Sequence, residues 1–225
     1  MSRVTLSVLG AFAVLAVLVV IAFSVGRYPV SAGELASLLW AKLTGAGSGI
    51  DSTVETVFLK IRGPRVVAAI MIGAALAAAG AAYQNMFRNP LVSPDILGVS
   101  AGAAVGAVLG IFLSLNVIMI QGLAFAFGLG AVALVYVISN RVRGHDPLLV
   151  LVLAGVVVGS LLGACVALMK YLADPYNQLP AITFWLLGSL ASTNPEDVWS
   201  TLPLMVLGLC VAMAEITSDH FVVCA

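Results

Sequence analysis

The sequence predicts an all-α integral membrane protein, a polytopic helical bundle with about six transmembrane helices. Hydrophobic residues occupy 62% of the 225 positions and charged residues only 9%, too few to cover a domain surrounded by water. Apolar runs of about 20 residues, the length that crosses a bilayer core, recur along the chain between short polar segments. Composition and run length therefore both place the chain in a membrane.

Composition also excludes several functions. Ten Lys and Arg residues balance ten Asp and Glu residues, so no basic excess is present to hold nucleic acid. The cysteines and histidines show neither CxxC nor HxxxH spacing, which argues against a zinc site or a disulfide framework. We therefore expect no metal site and no cofactor. The residues concerned are Cys165, Cys210, Cys224, His145 and His220.

The first apolar run, Thr5 to Val25, carries no charge and is bracketed by Arg3 and Arg27. It is too long for the apolar region of a signal peptide, which is roughly 7 to 15 residues, so it predicts an uncleaved first helix. A polar connection follows as far as Arg65. Within it the amphipathic stretch SAGELASLLWAKL should lie at one membrane face, with Trp40 near the interface.

The remaining apolar runs predict five further spans and one shorter helix. Residues 174–197 have an apolar middle of only about a dozen residues, which favours a re-entrant or interfacial half-helix. The predicted spans are Val66 to Phe87, two spans within Ile96 to Asn140 joined near Ser114 to Asn116, Pro147 to Met169, and Val198 to Ala214.

Two glycine stripes run along the predicted helices at four-residue spacing. In lipid, where apolarity alone does not drive helices together, such bare faces let backbones approach closely and pack by van der Waals contact. Helix packing is the simpler role, and sliding of helices during transport is the alternative. The stripes are Gly98, Gly102, Gly106 and Gly110, then Gly155, Gly159 and Gly163.

The segment FRNPLVSPDILGVSAG, residues 87–102, places polar residues between two long apolar runs. Pro90 and Pro94 cannot continue a helix interior, so the chain must turn here. Asp95 begins the next helix, where its carboxylate suits the positive end of the helix dipole.

Residues 60–107, KIRGPRVVAAIMIGAALAAAGAAYQNMFRNPLVSPDILGVSAGAAVGA, resemble the signature of the FecCD family, the permease subunits of ABC importers for iron-siderophores, haem and cobalamin. The KIRGPR entry, the small-residue helix, the RNPL turn and the LGVSAGA start occur in family order. The later stretches LVLAGVVVGSLLGA and ADPYNQLPAITFWLLGSL also resemble that family. The resemblance covers residues 1–214 and leaves residues 215–225 as a non-matching tail.

The resemblance implies a partial copy of a ten-helix permease in the inner (plasma) membrane, with both termini in the cytoplasm. Its implied partners are a second permease copy, ABC ATPase subunits and a soluble substrate-binding protein, besides membrane lipid. The chain contains no Gly-x-x-x-x-Gly-Lys-Ser/Thr loop, so ATP hydrolysis would belong to a partner and this polypeptide is not an enzyme.

Two groups of functional residues follow from the resemblance. Arg62 and Arg65 match outward arginines that receive glutamates from the binding protein, although they could instead anchor a helix end among lipid phosphates. The RNPL turn lies near the cytoplasmic end of the family's pathway, although it could be only a stiff turn. The implied cytoplasmic gate is Asn89, Leu91, Gly144 and His145.

The implied orientation conflicts with the positive-inside rule, because more cations fall in outward than in inward loops. The inward set is Arg3, Arg88, Arg141 and Arg143, and the outward set is Arg27, Lys42, Lys60, Arg62, Arg65 and Lys170. We follow the resemblance, because it gives Arg62 and Arg65 an outward role.

The chain departs from the family at its end, where EITSDHFVVCA replaces the expected basic helix end and coupling motif. The expectation is therefore a truncated copy of a metal-chelate permease. The alternatives are a non-transporting membrane scaffold that docks partners, and an ion-coupled transporter. The last is weaker, because Lys170 and Glu215 are the only ionisable residues near the spans that could serve it.

Overall fold

The computed structural model describes residues 3–26, 31–44, 52–90, 92–142, 147–191 and 193–223. These residues form nine α-helices, a π-helical segment Val57–Arg62 and a 3₁₀ turn Pro94–Leu97. The helices are α1 Arg3–Ser24, α2 Ala32–Thr44, α3 Ser52–Thr56, α4 Gly63–Phe87, α5 Val99–Phe112, α6 Val117–Arg141, α7 Pro147–Leu172, α8 Gln178–Leu187 and α9 Pro195–Val223.

The all-α membrane fold is confirmed, and the described residues contain five helical segments that are long and apolar enough to cross a membrane. The predicted turn near Ser114 and the predicted half-helix, α8, are both present. The predicted third span is shorter than expected: α5 has 14 residues, or about 21 Å at 1.5 Å per residue, against a core of about 30 Å. The five longer segments are Thr5–Ser24, Ser52–Phe87, Val117–Arg141, Leu148–Leu172 and Pro195–Ala214.

The chain divides into two compact units, residues 1–75 with 190–208 and residues 76–189 with 209–225. In the first unit, Leu38 of α2 and Val54 of α3 are buried against each other, with Val57 and Phe58 packed around them. The predicted amphipathic helix is thus present and faces a small core. Trp40 is exposed.

A capping box begins α2. The Ser31 N–H and hydroxyl both donate to Glu34 Oε2 at 2.8 Å, and the Glu34 N–H donates to Ser31 Oγ at 3.2 Å. The backbone N–H of Ser31, helped by its hydroxyl, holds the pKa of Glu34 below its usual value. These bonds satisfy backbone donors that the first helical turn leaves without a partner.

The predicted polar connection up to Arg65 is more helical than the sequence suggested. From Ser52 to Phe87 the chain forms one continuous helical stretch of 36 residues, in which the π-helical segment lies between α3 and α4. Val54, Val57 and Phe58 supply the apolar face that packs on α2 and stabilises this extension. The sequence did not predict this helical extension, because the charges of Lys60, Arg62 and Arg65 suggested a loop.

In the second unit, α5 lies closely along α6, and α7 packs against both. Leu97, Val135, Ala154 and Val158 form the buried centre of this packing, surrounded by partly buried apolar side chains. A second cluster joins Val108 of α5 to Ala173 and to Ile182 of α8.

Gln178, at the start of α8, donates from Nε2 to the carbonyl of Phe112 at 2.7 Å. The short helix α8 is thereby fixed to the end of α5 by a hydrogen bond as well as by the apolar contact of Ile182 with Val108.

The first glycine stripe lies where α5 meets α6. A side chain at Gly102 would meet the carbonyl of Phe127, one at Gly106 would overlap the carbonyl of Leu123, and one at Gly110 would meet Ile120. We call Gly102, Gly106 and Gly110 the glycine seam. The seam permits contact between the two backbones that no larger residue would allow.

The other glycines of the stripes differ from one another. Gly98 has φ 73°, ends the 3₁₀ turn and lies against Gly159, while Gly155 lies against the carbonyl of Ile96. Among the described residues, nothing lies within 4 Å of a side chain added at Gly159 or Gly163. A packing role for Gly163 therefore stays a prediction.

We predict that Gly106→Ala lowers the thermal midpoint of the detergent-solubilised protein. The new methyl group would overlap the Leu123 carbonyl, and strain of this kind costs about 1 to 3 kcal/mol in close-packed interiors.

Gly130→Ala is the matched control, since none of the residues that the structure describes lies within 4 Å of a side chain added at this glycine of α6. Its midpoint should stay the same or rise, because Ala is favoured over Gly in a helix by up to about 1 kcal/mol. Equal midpoints for the two variants would contradict close packing at the seam.

Candidate functional site

Arg62 is the last residue of the π-helical segment, and its guanidinium is directed into the first unit. Nη1 donates to the carbonyl of Phe23, one residue before the end of α1, and the side chain is only 9% exposed. A side chain at Gly26 would overlap the Arg62 guanidinium. The last carbonyls of a helix have no partner within the helix, so Arg62 serves one of those of α1.

The π-helical segment positions Arg62. The Gly63 N–H donates to the carbonyl of Phe58, five residues earlier, which widens the helix by one residue at this turn. The rings of Phe23 and Phe58 stack with centroids 4.5 Å apart, and this contact joins the segment to α1.

Arg65, in the first turn of α4, is half-buried, and its side chain contacts a different part of the first unit from the one that Arg62 contacts. Its Nη2 donates to the carbonyl of Ala191, in the connection between α8 and α9. Its Nε is buried and has no hydrogen-bond acceptor among the residues that the structure describes. The two predicted docking arginines are therefore held by main-chain carbonyls, and Arg65 keeps one donor unused.

A cavity of about 540 Å³ lies beside both arginines. Its other walls are apolar side chains from the end of α1, the π-helical segment and the start of α4. These include Ala22, Val25, Ile61, Val66 and Ala69.

The RNPL turn is a Schellman motif that ends α4. The Asn89 N–H donates to the carbonyl of Gln84 at 3.2 Å, and the Arg88 N–H donates to the carbonyl of Asn85 at 3.1 Å. Arg88 takes φ 48°, the left-handed conformation that favours glycine. Ser93 then caps the 3₁₀ turn by accepting the Asp95 N–H at 3.3 Å.

The turn between α5 and α6 repeats this motif. Ser114 has φ 54°, its N–H donates to the carbonyl of Ile111, and the Leu115 N–H donates to the carbonyl of Gly110, both at 2.9 Å. Asn116 begins α6 by accepting the Met119 N–H at 2.9 Å. Both sharp turns thus satisfy their carbonyls within the main chain.

Of the predicted gate residues, the structure describes only Asn89, which is exposed at the RNPL turn. Leu91, Gly144 and His145 lie outside the described residues. The gate therefore stays a prediction. Within the described ranges, no group of three or more His, Cys, Asp or Glu side chains could hold a metal ion.

Sequence reasoning missed the partners of the arginines and the cap at Ser93. The side chains of Phe23 and Ala191 do not indicate these contacts, because the acceptors are their main-chain carbonyls. Gly26, the second residue after α1, was the available sign that another group approaches the chain closely there.

Together, several membrane-length helices, two short apolar ones and sharp capped turns define a multi-pass helical membrane protein. The model of the FecCD transport family matches residues 14–218. The chain belongs to the FecCD transport family.

The names of the relatives give different substrates. The chain is 38% identical over 184 residues to the molybdate import system permease protein of Haemophilus influenzae, covering 82% of this chain and 54% of that protein. It is 37% identical over 192 residues to the cobalamin import system permease protein of Halobacterium salinarum, covering 83% and 50%. It is 37% identical over 170 residues to the hemin transport system permease protein of Yersinia pestis, covering 69% and 49%.

A solved structure, described as an inward-facing conformation of a metal-chelate type ABC transporter, matches with a TM-score of 0.73 at 33% identity. The match covers 88% of this chain and 58% of that one. The chain spans about half the length of the curated relatives it matches. The resemblance to the FecCD family is confirmed. The expectation that the chain is not an enzyme is also confirmed, since these relatives are permease proteins.

We predict that Arg88→Gly raises the thermal midpoint. Glycine takes a positive φ without the steric cost of a Cβ, so the gain should be up to about 1 kcal/mol. Ser114→Gly, in the same motif, should act in the same direction.

Arg88→Ala distinguishes relief of backbone strain from loss of the charge, because it removes the guanidinium but keeps the Cβ. Its midpoint should not rise. If the alanine and glycine variants gain equally, loss of the charge rather than relief of the backbone is responsible.

Proposed function

We propose that the chain is a transmembrane permease subunit of an ABC importer for metal chelates of the iron-siderophore, haem or cobalamin type, in the inner (plasma) membrane. The observation that supports this most strongly is the family match over residues 14–218. The matching metal-chelate transporter structure supports it independently through the fold. The molybdate permease among the relatives makes molybdate a further substrate to test.

Its proposed partners are a second copy of the permease, ABC ATPase subunits and a soluble substrate-binding protein. The relatives' descriptions as import system permeases support this assignment, since no nucleotide-binding loop is present in the sequence. Energy would then come from the ATPase, and this chain would supply part of the path through the membrane.

The proposed cytoplasmic gate centres on the RNPL turn, with Asn89 and Leu91 on one side and the loop of Gly144 and His145 on the other. Two features of the turn support a positioning role for it. The main-chain bonds at Arg88 and Asn89 fix where α4 ends, and the proline at position 90 prevents the helix from continuing.

The proposed docking residues are Arg62 and Arg65, which would receive carboxylates of the binding protein. Arg65 is the stronger candidate, because its side chain is half-buried whereas that of Arg62 is buried. Arg62 is buried on the Phe23 carbonyl, so its contribution would be mainly to hold α1 against α4.

We predict that residues 14–218 can replace the matching segment of the Haemophilus influenzae molybdate permease. In a strain that lacks that permease but keeps its ATPase and binding protein, the hybrid should take up labelled molybdate above the empty-vector level. A shared fold and shared partner surfaces are the physical reason.

The unmodified relative is the positive control, and membrane insertion of the hybrid is checked by immunoblot. An inserted hybrid that binds the binding protein without any uptake would favour the scaffold alternative. An inserted hybrid that neither binds its partners nor transports would contradict the proposal.

In the same hybrid, Arg65→Glu should weaken docking of the binding protein by about tenfold or more, with the remaining binding less sensitive to salt. Reversal turns an attractive pair into a repulsive one, and such pairs govern encounter rate and register. Affinity is measured by surface plasmon resonance at low and high salt.

Lys170→Glu is the control, since Lys170 is another predicted outward cation, in the last turn of α7. It should leave the affinity unchanged. Full affinity in the Arg65→Glu hybrid would reject the docking role of this arginine.

A further inference from the structure

A groove lies between the end of α6 and the start of α7, within the second unit. Its volume of about 380 Å³ lies within the roughly 300 to 1,000 Å³ that small-molecule pockets occupy. Ile138 and Val142 form its wall on the side of α6. The wall on α7 is a row of residues four apart, which at 1.5 Å per residue extends over about 12 Å. This row is Leu149, Leu153 and Val157.

The surface of the groove is apolar and open. Every lining residue that the structure describes is apolar. The row on α7 is exposed, with Leu149 at 52%, Leu153 at 55% and Val157 at 67%. Ala154 belongs to the buried centre of the second unit and forms the floor. Both helices belong to membrane-length segments, so the groove needs an apolar occupant.

The side chains of the groove favour an acyl chain over another helix. Membrane helices approach one another through small residues, whereas the rims here are formed by branched side chains such as Ile138 and Leu153. A helix is about 10 to 12 Å across, so these rims would hold it away from Ala154. A single acyl chain is narrower and flexible, so it can lie between the rims and cover the floor.

The charge at one end of the groove favours a phosphate. Arg141 is the last residue of α6, and its side chain is exposed. It follows Ile138 by three residues and precedes Val142, so it lies on the side of α6 that carries the groove. The ends of membrane-length helices lie at the level of the headgroups, where an arginine binds phosphate through two parallel hydrogen bonds.

We propose that this groove binds one anionic phospholipid. One acyl chain lies along Leu149, Leu153 and Val157 above Ala154, and the phosphate accepts hydrogen bonds from Arg141. A soluble phosphate would bind the guanidinium but would leave the apolar row uncovered. A zwitterionic lipid would cover the row, but its own cation would oppose that of Arg141.

This lipid site goes beyond the proposed transport function and does not depend on it. Lipid binding is measured on the chain alone, without ATPase, binding protein or uptake. A negative result here therefore leaves the permease proposal unaffected, and failure of the hybrid transporter would leave the lipid site unaffected.

The experiment titrates the purified full chain in detergent with phosphatidylglycerol and, separately, phosphatidylcholine, and counts bound lipids by native mass spectrometry. We expect one phosphatidylglycerol to bind more tightly than phosphatidylcholine. Arg141→Gln should weaken phosphatidylglycerol binding by about tenfold, since it removes charge-assisted hydrogen bonds. Lys170→Gln is its control, because it removes one cation at the opposite end of α7. It should bind both lipids as the unmodified chain does.

Leu153→Trp tests the apolar wall while keeping Arg141. The larger ring fills part of the groove from an exposed position, so binding of both lipids should fall. Leu161→Trp is the matched control, since Leu161 is 61% exposed on the same helix but lies outside the groove lining. It should leave lipid binding unchanged. Inorganic phosphate at millimolar concentration should not displace the lipid.

Four outcomes would overturn the proposal. Equal affinity for the two lipids, or unchanged affinity in Arg141→Gln, would show that no phosphate is bound by this arginine. Displacement of the lipid by inorganic phosphate would indicate a soluble-anion site. Unchanged lipid binding in Leu153→Trp would place the lipid elsewhere. A dimer in the same spectra that Leu153→Trp dissociates, without loss of bound lipid, would instead make the groove a contact between two copies.

Discussion

The hydrocarbon core of a membrane offers no hydrogen-bond partner to the main chain, so the protein itself must satisfy the carbonyl and N–H groups of any helix end that lies there. This chain meets the requirement in three ways. Schellman turns end α4 and α5, with Arg88 and Ser114 in left-handed conformations. Side chains from other helices complete two ends, Arg62 at α1 and Gln178 at α5. The helix starts at Ser31, Ser93 and Asn116 use local caps.

The sequence predicted the parts of the fold that depend on apolar length, such as α1, α6, α7 and the short α8. It did not predict that helix continues from Ser52 through Arg62. The charges there suggested a loop, whereas packing of Val54 and Phe58 near α2 overrides local composition. The short α5 was also missed, because Gly98 breaks a continuous apolar run only through its positive φ.

The sequence predicted only part of the arrangement at the two arginines. Arg62 and Arg65 were recognisable as unusual cations beside a helix, but their carbonyl partners at Phe23 and Ala191 have no sequence signature.

The glycine seam has a consequence for how the protein enters the membrane. At about 21 Å, α5 is too short to cross the hydrocarbon core alone, whereas α6 has 25 residues and is long enough. The tight turn at Ser114 and the contact of Gly106 with the Leu123 carbonyl join the two helices back to back. The two helices therefore enter lipid more favourably together, as a helical hairpin, than α5 would alone.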